Sequence, residues 1–166
     1  QFRHATTADA AAEILANLFS EIHHDLLRLG FSYDECAGMG ATLSLVWLTP
    51  ARLHFAHLGD SRIYRVNGRS LEQLTEDHRV HLSSVQSYLG RAMGANPQIE
   101  IDYRLVPLEK NDVFLLATDG VYAHASQKFI AQTVADNAAD LDAAARAIVA
   151  EALRNGSEDN LTAQIV

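Results

Sequence analysis

The sequence is poor in cysteine, proline and clustered positive charge. A single cysteine among 166 residues, Cys36, rules out an internal disulfide and any cysteine-rich zinc site, and its default reading is a small buried hydrophobe. Three prolines and nine glycines leave no linker or low-complexity tract. No run of Lys and Arg exceeds a pair, and 13 basic against 21 acidic side chains give a formal charge of -8. That balance argues against nucleic acid and anionic membranes as partners, because both are held by clustered positive charge. No stretch of about 18 apolar residues exists to span a bilayer, and the chain does not open with the charged-then-apolar order of a signal peptide. The expectation is a cytoplasmic domain with no nucleic-acid partner and no membrane insertion.

What is present is apolar patterning. Hydrophobic residues make up 48% of the chain, and this length suits one domain that buries roughly 68 to 70% of its unfolded surface without disulfide or structural metal. Ile14, Leu15, Leu18, Phe19, Ile22, Leu26 and Leu29 recur at three- and four-residue steps, which predicts an amphipathic helix over Asp9–Leu29 closed by Gly30, with Glu13, Asn17, Glu21 and Arg28 facing solvent. The period then changes. Ala41–Thr49 reads as a largely buried strand, Arg52–Leu58 as a second, and Ser61–Val66 with Ser70–Leu74 as a hairpin about a type I′ turn at Asn67-Gly68. A polar stretch over Thr75–Ser87 reads as loop. Ile99, Ile101, Tyr103 and Leu105 alternate with polar residues as a half-buried strand. Asp112–Thr118 is an apolar strand ending on Asp119-Gly120. Helices follow at Ser126–Ala135 and Leu141–Leu153, stopped by Asn155-Gly156, and Leu161–Val166 is a last strand. Strands in hairpin order flanked by helices predict an α+β fold with antiparallel sheet in a single domain, 1–166.

Several polar groups stand where chemistry could occur. Asp119 follows a buried strand and Asp159 precedes Asn160 before the last strand; acids held at the ends of core strands suit hard divalent cations, while Asp-Gly and Asp-Asn pairs also simply close turns. Asp60 and Arg62, two residues apart at a strand break, suggest a buried ion pair. The run Thr75-Glu76-Asp77-His78 offers an acid and an imidazole together in a loop. Eight histidines tempt a zinc reading at His23-His24, at His54 with His57 and at His78 with His81. None has metalloprotease spacing, and His54 and His57 fall on opposite strand faces. Gly38-Met39-Gly40 precedes a strand, not a helix, so it reads as a turn and not a phosphate loop. Trp47, Tyr64, Tyr88 and Tyr103 form no spaced platform and read as packing residues.

Six ordered blocks carry a resemblance: Gly38-Met-Gly-Ala-Thr-Leu43, Leu58-Gly-Asp-Ser-Arg-Ile-Tyr64, Leu74-Thr-Glu-Asp-His78, Leu89-Gly-Arg-Ala-Met-Gly94, Asp112-Val-Phe-Leu-Leu-Ala-Thr-Asp-Gly120 and Gly156-Ser-Glu-Asp-Asn-Leu-Thr162. Together they resemble the metal-dependent type 2C serine/threonine protein phosphatases, in particular their compact prokaryotic branch. The resemblance implies two packed antiparallel β-sheets flanked by helices and an acidic cleft holding two Mn²⁺ or Mg²⁺ ions. By motif, Asp119 and Asp159 would bind metal and serve catalysis, Asp77 would match a weaker third-metal position, and Asp60, Arg62 and Asn160 would be framework residues behind them. The implied reaction is hydrolysis of phosphoserine or phosphothreonine in a protein substrate, phosphorylated by an opposing serine/threonine kinase, through water activated between ions about 3.5 to 4 Å apart.

The chain also departs from the pattern. The family's N-terminal Asp-Gly-Met-Gly-Gly block is not found, since Ala37 stands where Gly38-Met39-Gly40 would need an aspartate, and the phosphate-binding arginine upstream is not found either. The region near 79–88 is shorter than the usual flap. The expectation is a domain incomplete at the N-terminus and in the flap. An alternative is a catalytically incomplete phosphatase-fold binding or regulatory module, and a generic hydrolase of small phosphoesters is a third reading.

Overall fold

A computed structural model describes residues 8–81 and 87–166. In chain order the elements are α1 (Ala8–Ser32), a single 3-10 turn (Asp34–Cys36), β1 (Leu43–Leu48), β2 (Arg52–Leu58), β3 (Arg62–Asn67), β4 (Ser70–Gln73), β5 (Arg79–His81) and β6 (Ser87–Leu89). Then come β7 (Asp102–Pro107), β8 (Val113–Ala117), α2 (Asp119–Tyr122), α3 (Gln127–Asp136), α4 (Leu141–Arg154) and β9 (Ala163–Ile165). Every paired strand is antiparallel, so the α+β expectation holds. The chain divides into two compact units, each built from two separate stretches of sequence.

The first unit comprises residues up to Gly59 and His78–Leu108. Its sheet runs β1-β2-β7, and β2 is the middle strand, buried from Leu53 to Leu58. Leu15 and Phe19 of α1 pack with Ala56, Leu58 and Met93, flanked by Ile22, Leu26, Ile99 and Ile101. The predicted helical face is therefore the packed one except at its end, where Leu29 is 41% exposed. Glu13, Asn17, Glu21 and Arg28 are exposed as expected. The helix runs past Gly30, however, because the i to i−4 ladder continues until Tyr33 N–H bonds Leu29 O at 3.0 Å. β1 is half-buried, not buried, since it lies at a sheet edge. β7 begins at Asp102, opposite His57. The residues before it have almost no β2 left to pair with, although Ile99 and Ile101 still pack into the core. Cys36 is half-buried, contrary to its default reading.

His54 and His57 do find different partners, Tyr103 Oη at 2.8 Å and Ser44 Oγ at 2.8 Å. Part of the expected loop over Thr75–Ser87 is the β5–β6 ladder, with Val80 opposite Tyr88; residues 82–86, and with them much of the flap region, lie outside the described residues.

The second unit comprises Asp60–Asp77 and Glu109–Val166. Its sheet runs β4-β3-β8-β9, and its core joins Tyr64, Val66, Leu115 and Ala117 of the sheet to Ile130, Val134, Ile148 and Ala152 of α3 and α4. Ser126 and Asp140 cap those helices, accepting from Phe129 N at 3.2 Å and Ala143 N at 2.9 Å. The β3–β4 hairpin pairs Asn67 with Ser70, so the loop is Gly68-Arg69, one residue later than predicted. Only Gly68 has positive φ, 59°, the pattern of a type II′ turn and not type I′. A buried ion pair braces the sheet. Arg65 donates through Nε (2.9 Å) and Nη2 (2.6 Å) to Asp112, whose side chain is 2% exposed. Asn67 Nδ2 and Glu109 N–H fill the remaining acceptor sites of Asp112.

Candidate functional site

The apolar strand β8 ends at Ala117 and hands the chain to Thr118, extended at φ −78° and ψ 163°, before α2 begins at Asp119. The sequence pattern gave no hint of α2, because Asp-Gly reads as a turn; here it is the first step of a helical turn. Thr118 sews this end of β8 to the last strand region. Its N–H bonds Thr162 O (3.1 Å), its Oγ1 donates to Asn160 O (3.2 Å), and the same Oγ1 accepts from Thr162 N–H (3.0 Å).

The opposite side of the site begins at the end of α4. Gly156 N–H bonds Leu153 O at 3.0 Å and Ser157 N–H bonds Ala152 O at 3.1 Å. With Gly156 at φ 84° this is a Schellman stop, which turns the chain back toward Gly120. Ser157 is buried and donates its hydroxyl to Gly120 O at 2.9 Å. Asn155 Nδ2 bonds His124 O at 2.7 Å. The two segments then meet as closely as backbones allow: a Cβ placed on Gly120 would lie 2.6 Å from Asn160 O and 3.2 Å from Asp159 Cβ. No side chain larger than hydrogen fits there.

The result is that Asp119 and Asp159 flank one close backbone contact, that of Gly120 with Asp159 and Asn160. Asp119 is half-buried and its Oδ1 accepts from Gly120 N–H at 3.0 Å; Asp159 is exposed and its Oδ1 accepts from Asn160 N–H at 2.7 Å. An open depression of about 430 Å³, lined by His124, Gly156, Glu158 and Asp159, leads to this edge. An all-oxygen donor set of this kind suits a hard divalent cation.

Behind it lies Arg62. The sequence suggested Asp60 as its partner, but the carboxylate it grips is Asp77, through Nε to Oδ1 (2.9 Å) and Nη2 to Oδ2 (2.8 Å). The segment after β4 brings Asp77 to the guanidinium fork, being tied to β3 by Leu74 N–H to Ile63 O and Ile63 N–H to Thr75 Oγ1. Arg62 also donates to Tyr64 Oη (3.1 Å), and its Cζ sits 3.7 Å over the Tyr122 ring. Tyr122 in turn donates to Asp60 O at 2.8 Å. Burial pushes the Tyr122 phenol well above its ordinary pKa, with the negative charges of Asp77, Asp60 and Asp119 adding to it against Arg62. The acidic surroundings of α2 are thus registered at one hydroxyl.

Asp77 and His78, adjacent in sequence, part company. His78 is buried; its Nδ1 accepts from Gly59 N–H (3.1 Å) and its Nε2 faces Asp102 Oδ2 (3.1 Å), so in the neutral ring Nε2 carries the proton. Burial alone would raise Asp102, but hydrogen bonding from His78 and the charges of His78 and Arg91 outweigh it and hold the carboxyl below the usual range. Among the described residues no three His, Cys, Asp or Glu side chains converge as a metal-binding group. The expected convergence of Asp77 with Asp119 and Asp159 is therefore not observed: Asp77 is spent on Arg62. The sequence reading overlooked the clamping roles of Thr118 and Ser157, although both lie inside quoted blocks. It missed Tyr122 entirely, for want of any helical signal after Asp119.

Comparison with known proteins gives a consistent result. A family model described as Protein phosphatase 2C matches residues 2–166. Over 175 residues the chain is 26% identical to the serine/threonine phosphatase stp of Listeria monocytogenes, covering 96% of this chain and 69% of that protein. It is 28% identical over 176 residues to protein phosphatase PhpP of Streptococcus pneumoniae, covering 96% and 70%. The solved serine/threonine phosphatase Stp1 of Staphylococcus aureus has a TM-score of 0.86 to it at 24% identity, over 98% of this chain and 69% of that one. The S. agalactiae serine/threonine phosphatase gives 0.87 at 23% identity, over 96% and 72%. At these identities the structural likenesses speak to the fold alone.

Proposed function

This chain belongs to the protein phosphatase 2C family, and we propose that it hydrolyses phosphoserine and phosphothreonine in protein substrates with Mn²⁺ or Mg²⁺ held at Asp119 and Asp159. The observation that supports the reading is the contact at Gly120, next to Asp119, where an added Cβ would lie 2.6 Å from Asn160 O and 3.2 Å from Asp159 Cβ. The donors fit such ions. Both aspartates are oxygen ligands, each with one backbone N–H on its Oδ1. The printed names of the Listeria and Streptococcus relatives support serine and threonine phosphate as the substrate chemistry.

When bound, the ions would make a water nucleophilic near neutral pH and offset the charge of the transferred phosphoryl group. The chain's own contribution is placement. Thr118, Gly120 and Ser157 fix the carboxylates relative to each other, so little reorganisation remains when charge develops. Asn160 belongs to that frame through its backbone carbonyl. Asp60 supplies the carbonyl that receives the Tyr122 hydroxyl. Asp77 does not fit as a third ligand while both its oxygens bind Arg62.

The same reading takes residues 1–166 as one phosphatase domain, acting in the cytoplasm opposite a serine/threonine kinase; the family match over residues 2–166 supports the former. No helix among the described residues is long and apolar enough to cross a membrane. Phosphate release from a phosphothreonine peptide should require added Mn²⁺ and collapse in Asp119→Asn; turnover that ignores either change contradicts the proposal. One observation favours the alternative of a binding or regulatory module: no third acidic or imidazole ligand joins Asp119 and Asp159 among the described residues. A folded protein that takes up no Mn²⁺ at millimolar concentration in calorimetry would decide for the module.

A further inference from the structure

The block Leu89–Gly94 takes no part in the proposed chemistry, yet it borders a hollow of its own. Between β6 and β7 the chain has no helix or ladder, but it is pinned at several points. Met93 N–H bonds Ala41 O at 2.8 Å and Ala41 N–H returns to Met93 O at 3.1 Å, Gly94 N–H bonds His23 Nδ1 at 3.0 Å, and Ile99 and Ile101 pack on the core beneath. The space enclosed is about 310 Å³ and apolar on the side of Leu58, Ala92 and Ile99, a size at which small-ligand sites begin. Arg91 lines it as well. Every bond of this guanidinium among the described residues leaves from Nη1: to Asp102 Oδ1 at 3.2 Å, to Glu100 O at 3.3 Å and, as a long ion pair, to Glu100 Oε2 at 3.5 Å. Asp102 is fixed in turn by His78 Nε2 at 3.1 Å. Nε and Nη2 have no partner among the described residues, and together they form the edge of the fork that takes a carboxylate through two parallel hydrogen bonds. The Glu100 side chain, 83% exposed, is an easily displaced neighbour.

We propose that this hollow binds a small carboxylate on a short apolar stem, with the carboxylate on Nε and Nη2 of Arg91 and the stem on Leu58, Ala92 and Ile99. Asp102 steadies the guanidinium through Nη1 and leaves the other edge for the ligand. A phosphate dianion suits the place less, because Asp102 and Glu100 lie beside the same guanidinium and like charges repel more strongly as charge rises. Asn96 and Gln98 complete the lining without adding charge. A free organic acid and the glutamate side chain of a peptide present the same group. The site lies wholly within the first unit and does not depend on the reading of Asp119 and Asp159.

The test uses the intact protein with sodium butanoate as the probe and nitrogen–proton spectra as the readout. The backbone amides of Ala92 and Ile99, and the arginine Nε–H signal that vanishes in Arg91→Lys, should shift saturably with millimolar butanoate. Acetate, which lacks the stem, should bind several-fold more weakly, and neutral butanamide should shift nothing. Arg91→Lys keeps the charge but loses the fork and should weaken butanoate several-fold. Glu100→Gln removes a competing carboxylate and should tighten it several-fold, while Gln98→Glu adds one and should weaken it; both alter exposed side chains, so they decide the matter if Arg91→Lys does not fold. Acetyl-Gly-Glu-Gly-amide is the second probe: tighter binding than butanoate makes a protein side chain the source of the carboxylate, and weaker binding makes it a free acid. No saturable shift with either probe, equal affinities for acetate and butanoate, a matching response to butanamide, or a Glu100→Gln variant that binds butanoate no more tightly than the wild type overturns the proposal.

Discussion

Replacing Gly120 by alanine adds one methyl at the closest approach in the site. That methyl would lie 2.6 Å from Asn160 O, about 0.8 Å inside the 3.4 Å at which ordinary contact begins, and 3.2 Å from both Asp159 Cβ and Leu161 Cδ2. The 2.6 Å neighbour is backbone, held by the Thr118 hydroxyl, so it cannot swing aside. Overpacking of this kind costs about 1–3 kcal/mol, offset by at most about 1 kcal/mol of helix propensity gained in the single turn of α2. A net loss of roughly 1–2 kcal/mol should lower Tm by about 2–8 °C in a domain of this size. The larger effect should fall on function: a shift of several tenths of an ångström between Asp119 and Asp159 is enough to weaken Mn²⁺ binding and to reduce kcat/KM by up to about 10²-fold. Gly68→Ala, in the β3–β4 turn, is the control. Nothing lies within 4 Å of its added methyl, but its φ of 59° carries strain, so it should cost about 1 kcal/mol without moving the carboxylates. Calorimetric Mn²⁺ titration and thermal melts of the two variants separate the effects. Gly120→Ala with wild-type Mn²⁺ affinity would refute the idea that this contact sets the site.

Three other outcomes follow from the same geometry. Asp112→Asn strips the charge from a bidentate pair in which Arg65 is 13% and Asp112 2% exposed; leaving that arginine unmatched should cost about 3 kcal/mol, the low end of the range for a broken buried pair, because Glu109 at 3.3 Å partly compensates, and a urea midpoint shift measures it. Burial opposes ionisation of Asp112, but the Arg65, Glu109 and Asn67 hydrogen bonds outweigh it and depress its pKa below the ordinary 3.8, so the stabilisation is complete above about pH 4 and fades as pH falls through the lower folded value. Urea midpoints taken from pH 7 down to pH 3 should therefore drop at the acid end, and drop less in Asp112→Asn. Ser157→Ala leaves the Gly120 carbonyl without its 2.9 Å donor and should cost about 1 kcal/mol together with weaker Mn²⁺ binding; a loss of stability with unaltered Mn²⁺ affinity would show that Ser157 only stabilises the fold.

Elements with strong periodicity were legible in the sequence, and sites assembled by turns were only half so. The buried face of α1 and the bounds of β2, β8, α3 and α4 followed from apolar spacing and capping residues, because burial dictates those positions locally. The hairpin register slipped by one residue, since Asn67-Gly68 and Gly68-Arg69 are both acceptable turns and the pairing of β3 between β4 and β8 selects the second. β1 was expected to be buried because Leu-Ser-Leu-Val-Trp-Leu is apolar on both faces; nothing in that string tells that the strand lies at an edge. Asp119 and Asp159 were legible as acids at strand ends, and the contact that unites them was not, because it depends on Gly120 meeting a segment some forty residues away. Arg62 was read with its neighbour in sequence and found its partner beyond β4, where a full guanidinium fork can be met.

The central claim is that Asp119 and Asp159 together hold the divalent cation. Crystals of the protein grown with Mn²⁺ and measured near the manganese absorption edge test it most directly. The account predicts an anomalous peak within coordinating distance of both carboxylates, absent in Asp159→Asn; a folded protein in Mn²⁺ with no peak there, or with a peak at Asp77 alone, would contradict it.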